Sequence, residues 1–299
     1  MTTNVFPPFS LTRLLATVFA PKPGQRVAIL IDLPEPREIK NFAFLRQPQF
    51  GIQRLAYEVF YQGLKQGGLA ELKLTGGELF AYEITGGSNR ELPAALYDTA
   101  GRELRFETDL YPNYDIILCV STYSATAPLT AAAKRFGFRG ATLHGLNEII
   151  LQTGLAVDYN EVSRNAEKLR LALTRAEAFE IDFLVAGRAC TLRLDCGKQE
   201  AQKSHGLVRG DQPDIANLPA GEVYFVPHGG EGAFPLRYED GTLGLTVVRG
   251  GRVVKATLIQ GREHTIHAHN LKLAEDPVTG VLGELGFGTQ ELPPAGRDI

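Results

Sequence analysis

Two glutamates are the strongest candidates for chemistry in this sequence. Glu222 follows a Pro-Ala-Gly turn and begins an apolar segment, and Glu284 lies in a glycine-rich segment near the end of the chain. A carboxylate in apolar surroundings is costly unless it is paired, hydrogen-bonded or bound to a metal. We therefore predict that Glu222 and Glu284 face one cleft, where they serve as metal ligands and as the catalytic carboxylates.

Two carboxylates can hold one hard divalent cation or bridge a pair of ions, which lie about 3.5–4 Å apart in hydrolases. A bound ion lowers the pKa of its water, and a carboxylate can take the proton that is released. The residues leave open which glutamate bridges, binds terminally or acts as the base. They also leave open a structural hydrogen-bond network or an arginine partner for either side chain.

The histidines are weaker candidates. His228 lies six residues after Glu222, and we predict that it contacts substrate or orients a ligand, the alternative being an exposed loop histidine. His264, His267 and His269 form a cluster, but on a helix the first two share a face and the third does not. This spacing is poor for one metal and predicts a solvated helix start.

Other catalytic motifs are missing from the sequence. The segment 121–126 follows an apolar strand, where loops often bind ligands, but Ser124 or Thr126 is expected to cap the next helix. The chain has no G-x-S-x-G elbow, no P-loop, no G-x-G-x-x-G after a strand and no H-E-x-x-H pair.

Four segments resemble the M29 family of metallo-aminopeptidases, the group of the thermophilic aminopeptidases T and S. They are residues 116–126 (IILCVSTYSAT), 154–159 (GLAVDY), 214–222 (DIANLPAGE) and 283–289 (GELGFGT). The resemblance implies an aminopeptidase T-like fold and the removal of N-terminal residues from peptides. It also implies Glu222 and Glu284 as ligands of Zn, Co, Mg or Mn, and a homodimer.

The same resemblance leaves alternatives. The family's other site residues, a His, a Tyr and a His-x-Asp pair, lie in a final segment with no counterpart here, so we expect an incomplete site. The chain is then a shortened or a naturally short form. Ring-cleaving dihydroxypyridine dioxygenases resemble the same family and use Fe, since zinc cannot perform oxygen chemistry. A non-catalytic binding or assembly protein is the third reading.

The amino-acid composition limits the classes of binding partner that we expect. Of 299 residues, 44% are hydrophobic and 22% charged, and the net charge of -3 gives no electrostatic reason to expect nucleic acid or a membrane surface. The expected partner is thus a peptide or small-molecule substrate. Three cysteines without C-x-x-C spacing indicate reduced thiols and a cytoplasmic location. The apolar stretch 11–20 is too short to cross a bilayer, and Ser10 is expected to cap it as a helix.

The elements that position these residues differ between the two halves. In the first half, apolar strands at 26–33, 115–120 and 141–143 alternate with helices at 52–65, 125–136 and 158–176. Shorter strands are predicted at 72–74 and 80–84, and a lid or solvated loop at 34–48. This alternation predicts an α/β domain with a mostly parallel sheet over residues 1–177.

The second half shows the period of two that is typical of hairpins. Strands are predicted at 179–185 and 190–194, and then at 236–238, 243–248 and 253–258, before a helix at 264–274. The predicted fold class is therefore α/β plus α+β. Residues 178–299 form a strand-rich domain that carries the metal site but lacks the family's final segment.

Overall fold

The computed structural model of the chain describes residues 7–290. These residues form two compact units. The first contains residues 7–165, Ser204–Gly221 and Gln290, and the second contains Ala166–Lys203 and Glu222–Thr289. A mostly parallel sheet and two antiparallel sheets confirm the predicted fold class.

Fifteen strands are present in the described part of the chain. They are β1 (Arg26–Leu33), β2 (Thr75–Glu83), β3 (Ala95–Asp98), β4 (Glu103–Arg105), β5 (Ile116–Val120), β6 (Arg139–Thr142), β7 (Ala178–Val185), β8 (Arg188–Asp195), β9 (Gln202–Ser204), β10 (Ile215–Asn217), β11 (Glu222–Phe225), β12 (Gly229–Arg237), β13 (Leu243–Arg249), β14 (Arg252–Gln260) and β15 (Leu285–Gly288).

The helices are α1 (Leu11–Phe19), α2 (Gly51–Leu55), α3 (Leu69–Glu71), α4 (Thr126–Phe136), α5 (Glu148–Gln152), α6 (Tyr159–Leu173) and α7 (Glu263–Glu275). Shorter 3-10 and π-helical segments lie at Pro36–Arg46, Ala56–Tyr61, Leu64–Gly68, Phe106–Leu110, Tyr111–Asn113 and Pro277–Gly280. No helix within residues 7–290 is long and apolar enough to cross a membrane.

The first unit is built on a seven-stranded sheet in the order β10-β6-β5-β1-β2-β3-β4. The strands from β10 to β2 are parallel, and β3 and β4 add an antiparallel edge. The central strand β1 is apolar from Val27 to Ile31, as expected for a strand that is covered on both faces. Ile29 and Ile31 pack into one core, whereas Ala28 and Leu30 pack with α4 into another.

The helix α1 begins as predicted. Ser10 is its N-cap and accepts a hydrogen bond from the backbone N–H of Arg13. The predicted cap of α4 is present only in part: Ser124 Oγ accepts a long hydrogen bond of 3.4 Å from the N–H of Thr126, but the N-cap residue is Ala125, which has no capping side chain. Instead the side-chain oxygen of Asn89, from a distant loop, accepts a 3.0 Å hydrogen bond from the N–H of Ala127. A cap supplied by a distant loop leaves no signal in the local sequence.

The short strand predicted at residues 72–74 is absent. Residues 72–74 form a turn, and β2 runs unbroken from Thr75, with a register shift between Val27 and Ala28 of the neighbouring strand. Gly76 and Gly77 belong to this irregular start of the strand, and both have positive φ. A Cβ on Gly76 would lie 2.7 Å from the carbonyl oxygen of Val27, so the close approach of the strands requires glycine there.

The predicted lid at 34–48 is the 3-10 segment Pro36–Arg46, and it belongs to the core of the first unit. Ile39 and Phe44 are completely buried and pack with the apolar residues of β1. Two large apolar side chains fixed in this way each contribute about 1.5–3 kcal/mol to stability. The segment is therefore a structural part of the first unit.

The predicted boundary at residue 178 lies inside the second unit. In addition, Ser204–Gly221 returns to the first unit, where β10 pairs in parallel with β6. Close packing allows this addition, since Gly140 on β6 has no side chain and its Cβ position would lie 2.9 Å from Ile215. A three-residue strand of this kind carries too little periodicity to be recognised in the sequence.

The second unit contains two antiparallel sheets, in the orders β14-β13-β12-β8-β7 and β15-β11-β9. All three predicted hairpins are present. In the first of them, Ala186 and Gly187 both have positive φ, as a tight two-residue turn requires. The predicted helix at 264–274 is α7, and Asn270 fixes it to β14 by exchanging two hydrogen bonds with the backbone of Ala256.

A buried carboxylate organises the carboxyl edge of the parallel sheet. Asp32, near the end of β1, is only 1% exposed, and Thr122 donates to it through its backbone N–H (2.9 Å) and its hydroxyl (3.1 Å). The amide of Gln53 donates a further hydrogen bond of 2.7 Å. Burial raises the pKa of Asp32, and these hydrogen bonds oppose the rise. Asp32 thereby fixes the loop after β5 to β1.

We predict that Asp32→Asn lowers the free energy of unfolding by about 1–3 kcal/mol, because an amide has one acceptor oxygen where the carboxylate has two. One of the buried donors then loses its partner. Urea unfolding followed by circular dichroism measures the change. The matched control is Asp211→Asn, which removes the exposed ion pair with Lys22 and should leave the urea midpoint nearly unchanged. Equal midpoints for the two variants would contradict a structural role for Asp32.

Candidate functional site

The pairing of β11 with β15 brings the two candidate glutamates into one sheet of the second unit. The strands are antiparallel, with Glu222 opposite Gly288 and Phe225 opposite Leu285. Glu284 immediately precedes β15, so it lies beyond the last pair of this ladder. Backbone hydrogen bonds thus join two segments that are about sixty residues apart in the sequence.

One face of this strand pair is anchored in an apolar core. Val223 and Phe225 are fully buried, and Phe287 packs against them. The ring of Phe179 lies 5.3 Å from that of Phe225 and 5.1 Å from that of Phe287, at tilted angles. Because side chains alternate along a strand, anchoring these residues turns Glu222 and Tyr224 to the opposite face.

Glycine shapes the face that carries Glu222. A Cβ on Gly286 would lie 2.1 Å from the Glu222 Oε1 atom, so the carboxylate occupies the space that any larger residue would fill. Gly286 is opposite Tyr224, two residue pairs closer to Glu284 than Gly288, which is the partner of Glu222. The Glu222 side chain therefore extends along the strand pair toward Glu284.

The electrostatics agree with this geometry. Partial burial raises the pKa of Glu222, and the negative charge of Glu284 raises it further. No ion pair with lysine or arginine is present at Glu222 among the described residues. Two carboxylates that repel each other, without a cationic partner in the described part of the chain, form a site that favours a proton or a cation.

The two glutamates differ in exposure. Glu222 is half-buried, but Glu284 is exposed, together with its neighbour Gly286. The expectation that both carboxylates lie in apolar surroundings is therefore wrong for Glu284. The apolar neighbours in the sequence point to the other face of the strand, because successive side chains alternate. Glu222 and Glu284 nevertheless lie on the same face of the β11–β15 strand pair.

His228 lies elsewhere in the second unit. Its backbone N–H donates a 2.8 Å hydrogen bond to the carbonyl of Asp195, and its imidazole lies over Gly197, where a Cβ would be 2.2 Å from Nδ1. Residues 7–290 contain no group of three or more His, Cys, Asp or Glu side chains that could hold a metal ion. His228 is thus not brought to the glutamate pair as a third ligand.

The other histidine cluster lies on α7. The hydroxyl of Tyr238 and Nδ1 of His269 form a hydrogen bond, and the two rings make an edge contact at 5.5 Å. Partial burial lowers the pKa of His269, and the charge of Lys272 lowers it further. This contact joins α7 to the hairpin after β12, so His269 has a structural role.

Tyr224 is a candidate that the sequence reasoning missed. It is two residues after Glu222 on the same face of β11, and it is half-buried. The signal was present in the sequence, because positions i and i+2 of a strand share a face. Its hydroxyl is a hydrogen-bond donor that can contact a ligand held at the carboxylate pair.

The donor set suits a hard divalent cation. Carboxylate oxygens are preferred ligands of Mg²⁺ and Mn²⁺, and zinc also accepts them. Within the described residues the protein supplies two such groups, Glu222 and Glu284. A cation would relieve their repulsion, so the residues that are present fit a metal with other coordination positions left to further ligands.

No family model matches this chain, and no curated protein matches it. Its fold is similar to the solved structure of a 2,5-dihydroxypyridine dioxygenase from Pseudomonas putida KT2440, with a TM-score of 0.56. The alignment covers 89% of this chain and 71% of that chain, at 14% sequence identity. At this identity the similarity shows the fold alone.

We predict that Glu284→Gln lowers the pKa of Glu222 but leaves it above the ordinary value, because burial is the larger cause of the shift and remains. Carboxylate NMR titration of metal-free protein measures this change. Because its pKa is raised in the folded protein, ionised Glu222 lowers the free energy of unfolding at pH values above that pKa. This destabilisation is lost as the pH falls through the pKa and Glu222 becomes protonated. Glu284→Gln should therefore stabilise the protein at neutral pH more than in acid.

The matched control for this titration is Glu239→Gln, which removes an exposed carboxylate of the same unit. It should leave the pKa of Glu222 unchanged. If Glu284→Gln also leaves it unchanged, the two carboxylates do not interact, and the shared site is ruled out.

Proposed function

We propose that this protein is a metal-dependent hydrolase of the aminopeptidase type, which removes N-terminal residues from peptides. Glu222 and Glu284 hold the metal. One observation carries the proposal: two carboxylates from distant segments converge on one face of a sheet without a cationic partner among the described residues. Such an arrangement costs free energy unless a bound cation compensates for it.

The donor types favour hydrolysis over oxygen chemistry. Non-haem iron oxygenases commonly bind iron through two histidines and one carboxylate, whereas carboxylate-rich sites suit hydrolytic metals. Within residues 7–290, no histidine forms a group of three potential metal ligands with Glu222 and Glu284. The resemblance of residues 214–222 and 283–289 to the M29 metallo-aminopeptidases supports the same choice, and it implies a homodimer.

The protein residues around the pair have separable roles. A bound divalent metal would polarise the scissile carbonyl and acidify water. One carboxylate of the pair would take the proton that this water releases, and the half-buried Glu222 is the residue we assign to this role. Exposed Glu284 is accessible as a ligand, and exposed Gly288, with no atom within 4 Å of its Cβ position, leaves space for the backbone of a substrate.

We predict that metal-free protein binds Mn²⁺ or Zn²⁺, and that either Glu222→Gln or Glu284→Gln weakens binding at least about tenfold, since each removes one charged ligand. Affinity should rise as the pH increases through the raised pKa of Glu222, because a proton and the metal compete for this carboxylate. Isothermal titration calorimetry measures both effects.

Glu239→Gln is again the matched control and should keep full metal affinity. Hydrolysis of leucine p-nitroanilide then tests the activity, which should require metal and disappear in Glu222→Gln. Metal binding that is equally strong in all three variants would overturn the site. Metal binding without hydrolysis of any aminoacyl amide would overturn the peptidase assignment but keep the site.

The fold comparison favours one second candidate, a ring-cleaving oxygenase that uses iron. It rests on the similarity to the Pseudomonas putida enzyme, which shows the fold and not the chemistry. Protein loaded anaerobically with Fe²⁺ and then given oxygen and 2,5-dihydroxypyridine tests it. On the hydrolase proposal, the ultraviolet absorbance of the pyridine ring should not fall faster than with Fe²⁺ alone. An enzyme-dependent loss of the ring would reverse the ranking of the two functions.

A further inference from the structure

A cavity of about 470 Å³ lies in the first unit. Its lining residues belong to a different sheet and a different part of the sequence from Glu222 and Glu284. Its volume is in the range that suits small ligands. Most of the side chains around it are apolar. The main ones are Leu92, Pro93, Phe106, Tyr111, Pro128 and Phe136.

The cavity reaches the edge of the sheet where the parallel strands end. Ala81 on β2 pairs with Tyr97 on β3, so Ala95 lies at the carboxyl end of β2. Ala95 in turn pairs with Arg105, which lines the cavity. Crevices outside the carboxyl ends of parallel strands are the usual ligand sites of open α/β sheets.

The loop that forms one wall is fixed to the helix that forms another. The N–H of Asn89 donates to the carbonyl of Ser124 at 2.7 Å, and its side chain accepts from Ala127 near the start of α4. Leu92 and Pro93 follow in this loop, and Pro128 follows on the helix. These hydrogen bonds preform the cavity, which reduces the cost of ordering it around a ligand.

Tyr111 supplies a polar group without a partner inside the cavity. The residue is 7% exposed, and its ring stacks on Phe138 at 5.1 Å with an interplanar angle of 12°. Its hydroxyl makes no hydrogen bond to any described residue and is accessible from the cavity, so it is available to a ligand there. Burial raises the pKa of Tyr111, so the hydroxyl stays protonated and can donate.

The two arginines at the cavity differ in their partners. Arg135 is occupied by Glu107, at 2.6 Å. Arg105 has no ion pair and no side-chain hydrogen bond among the described residues; its backbone N–H alone is bound, by Asp109. The exposed guanidinium of Arg105 is therefore available for an anion, and guanidinium matches a carboxylate with two parallel hydrogen bonds.

We propose that this cavity binds a small monocarboxylate with a flat apolar body, such as an aromatic acid. Arg105 receives the carboxylate, the hydroxyl of Tyr111 donates to it, and Phe106 and Phe136 pack against the ring. Glu91 also lines the cavity, and its carboxylate disfavours a second negative charge on the ligand. The site is independent of the metal proposed at Glu222 and Glu284.

Benzoate is the probe, titrated in the presence of EDTA and followed by protein NMR and calorimetry. Saturable binding is expected, with benzamide and the dianion phthalate at least about tenfold weaker, because charge-assisted hydrogen bonds exceed neutral ones. Arg105→Gln should weaken benzoate about tenfold or more while leaving benzamide nearly unchanged. Tyr111→Phe should weaken benzoate severalfold, as expected for one lost hydrogen bond.

The matched control is Arg164→Gln, an exposed arginine of the same unit outside the cavity, which should bind benzoate like the native protein. Ala132→Phe fills the cavity and should abolish binding while circular dichroism shows a native fold. Equal affinity for benzoate and benzamide, or no effect of Arg105→Gln, would overturn the carboxylate assignment. Binding that persists in folded Ala132→Phe protein would place the ligand elsewhere and overturn the cavity assignment.

Discussion

The antiparallel pairing of β11 with β15 is the constraint on which the candidate site depends. Hydrogen bonds fix the register, and the register decides which side chains share a face. Val223, Phe225 and Phe287 turn into the core, and their burial holds the strand pair in place. With that face fixed, Glu222 has only the opposite face available, and the missing side chain of Gly286 lets its carboxylate extend toward Glu284.

The buried carboxylate of the first unit has the opposite character. Asp32 is surrounded by donors from Thr122 and Gln53, so its oxygens are satisfied within the protein and need no cation. Glu222 has a like charge as its neighbour and no such set of donors. Burial raises the pKa of both groups, but their partners differ. The donors around Asp32 make it a residue that fixes a loop, whereas the like charge beside Glu222 makes it a residue that attracts a ligand.

The fold and the chemistry are separate questions in this protein. The similarity to a 2,5-dihydroxypyridine dioxygenase at 14% identity shows a shared fold. It does not show that the two proteins share a set of metal ligands. Function depends instead on which polar groups the fold leaves without partners. Such groups include the two carboxylates of the second unit, and the Tyr111 hydroxyl and Arg105 guanidinium of the first.

Most of the local elements could be predicted from the sequence. Continuous apolar runs predicted β1 and β5, a period of two predicted the hairpins, and Ser10 predicted the start of α1. Each of these patterns involves residues that are close together in the sequence. The sequence also predicted that Glu222 and Glu284 act as a pair. Tertiary structure alone decided that Glu284 is exposed, that Asn89 caps α4, that Ile39 and Phe44 enter the core, and that β10 returns to the parallel sheet. These features depend on contacts between distant segments, whose register and packing no local pattern encodes.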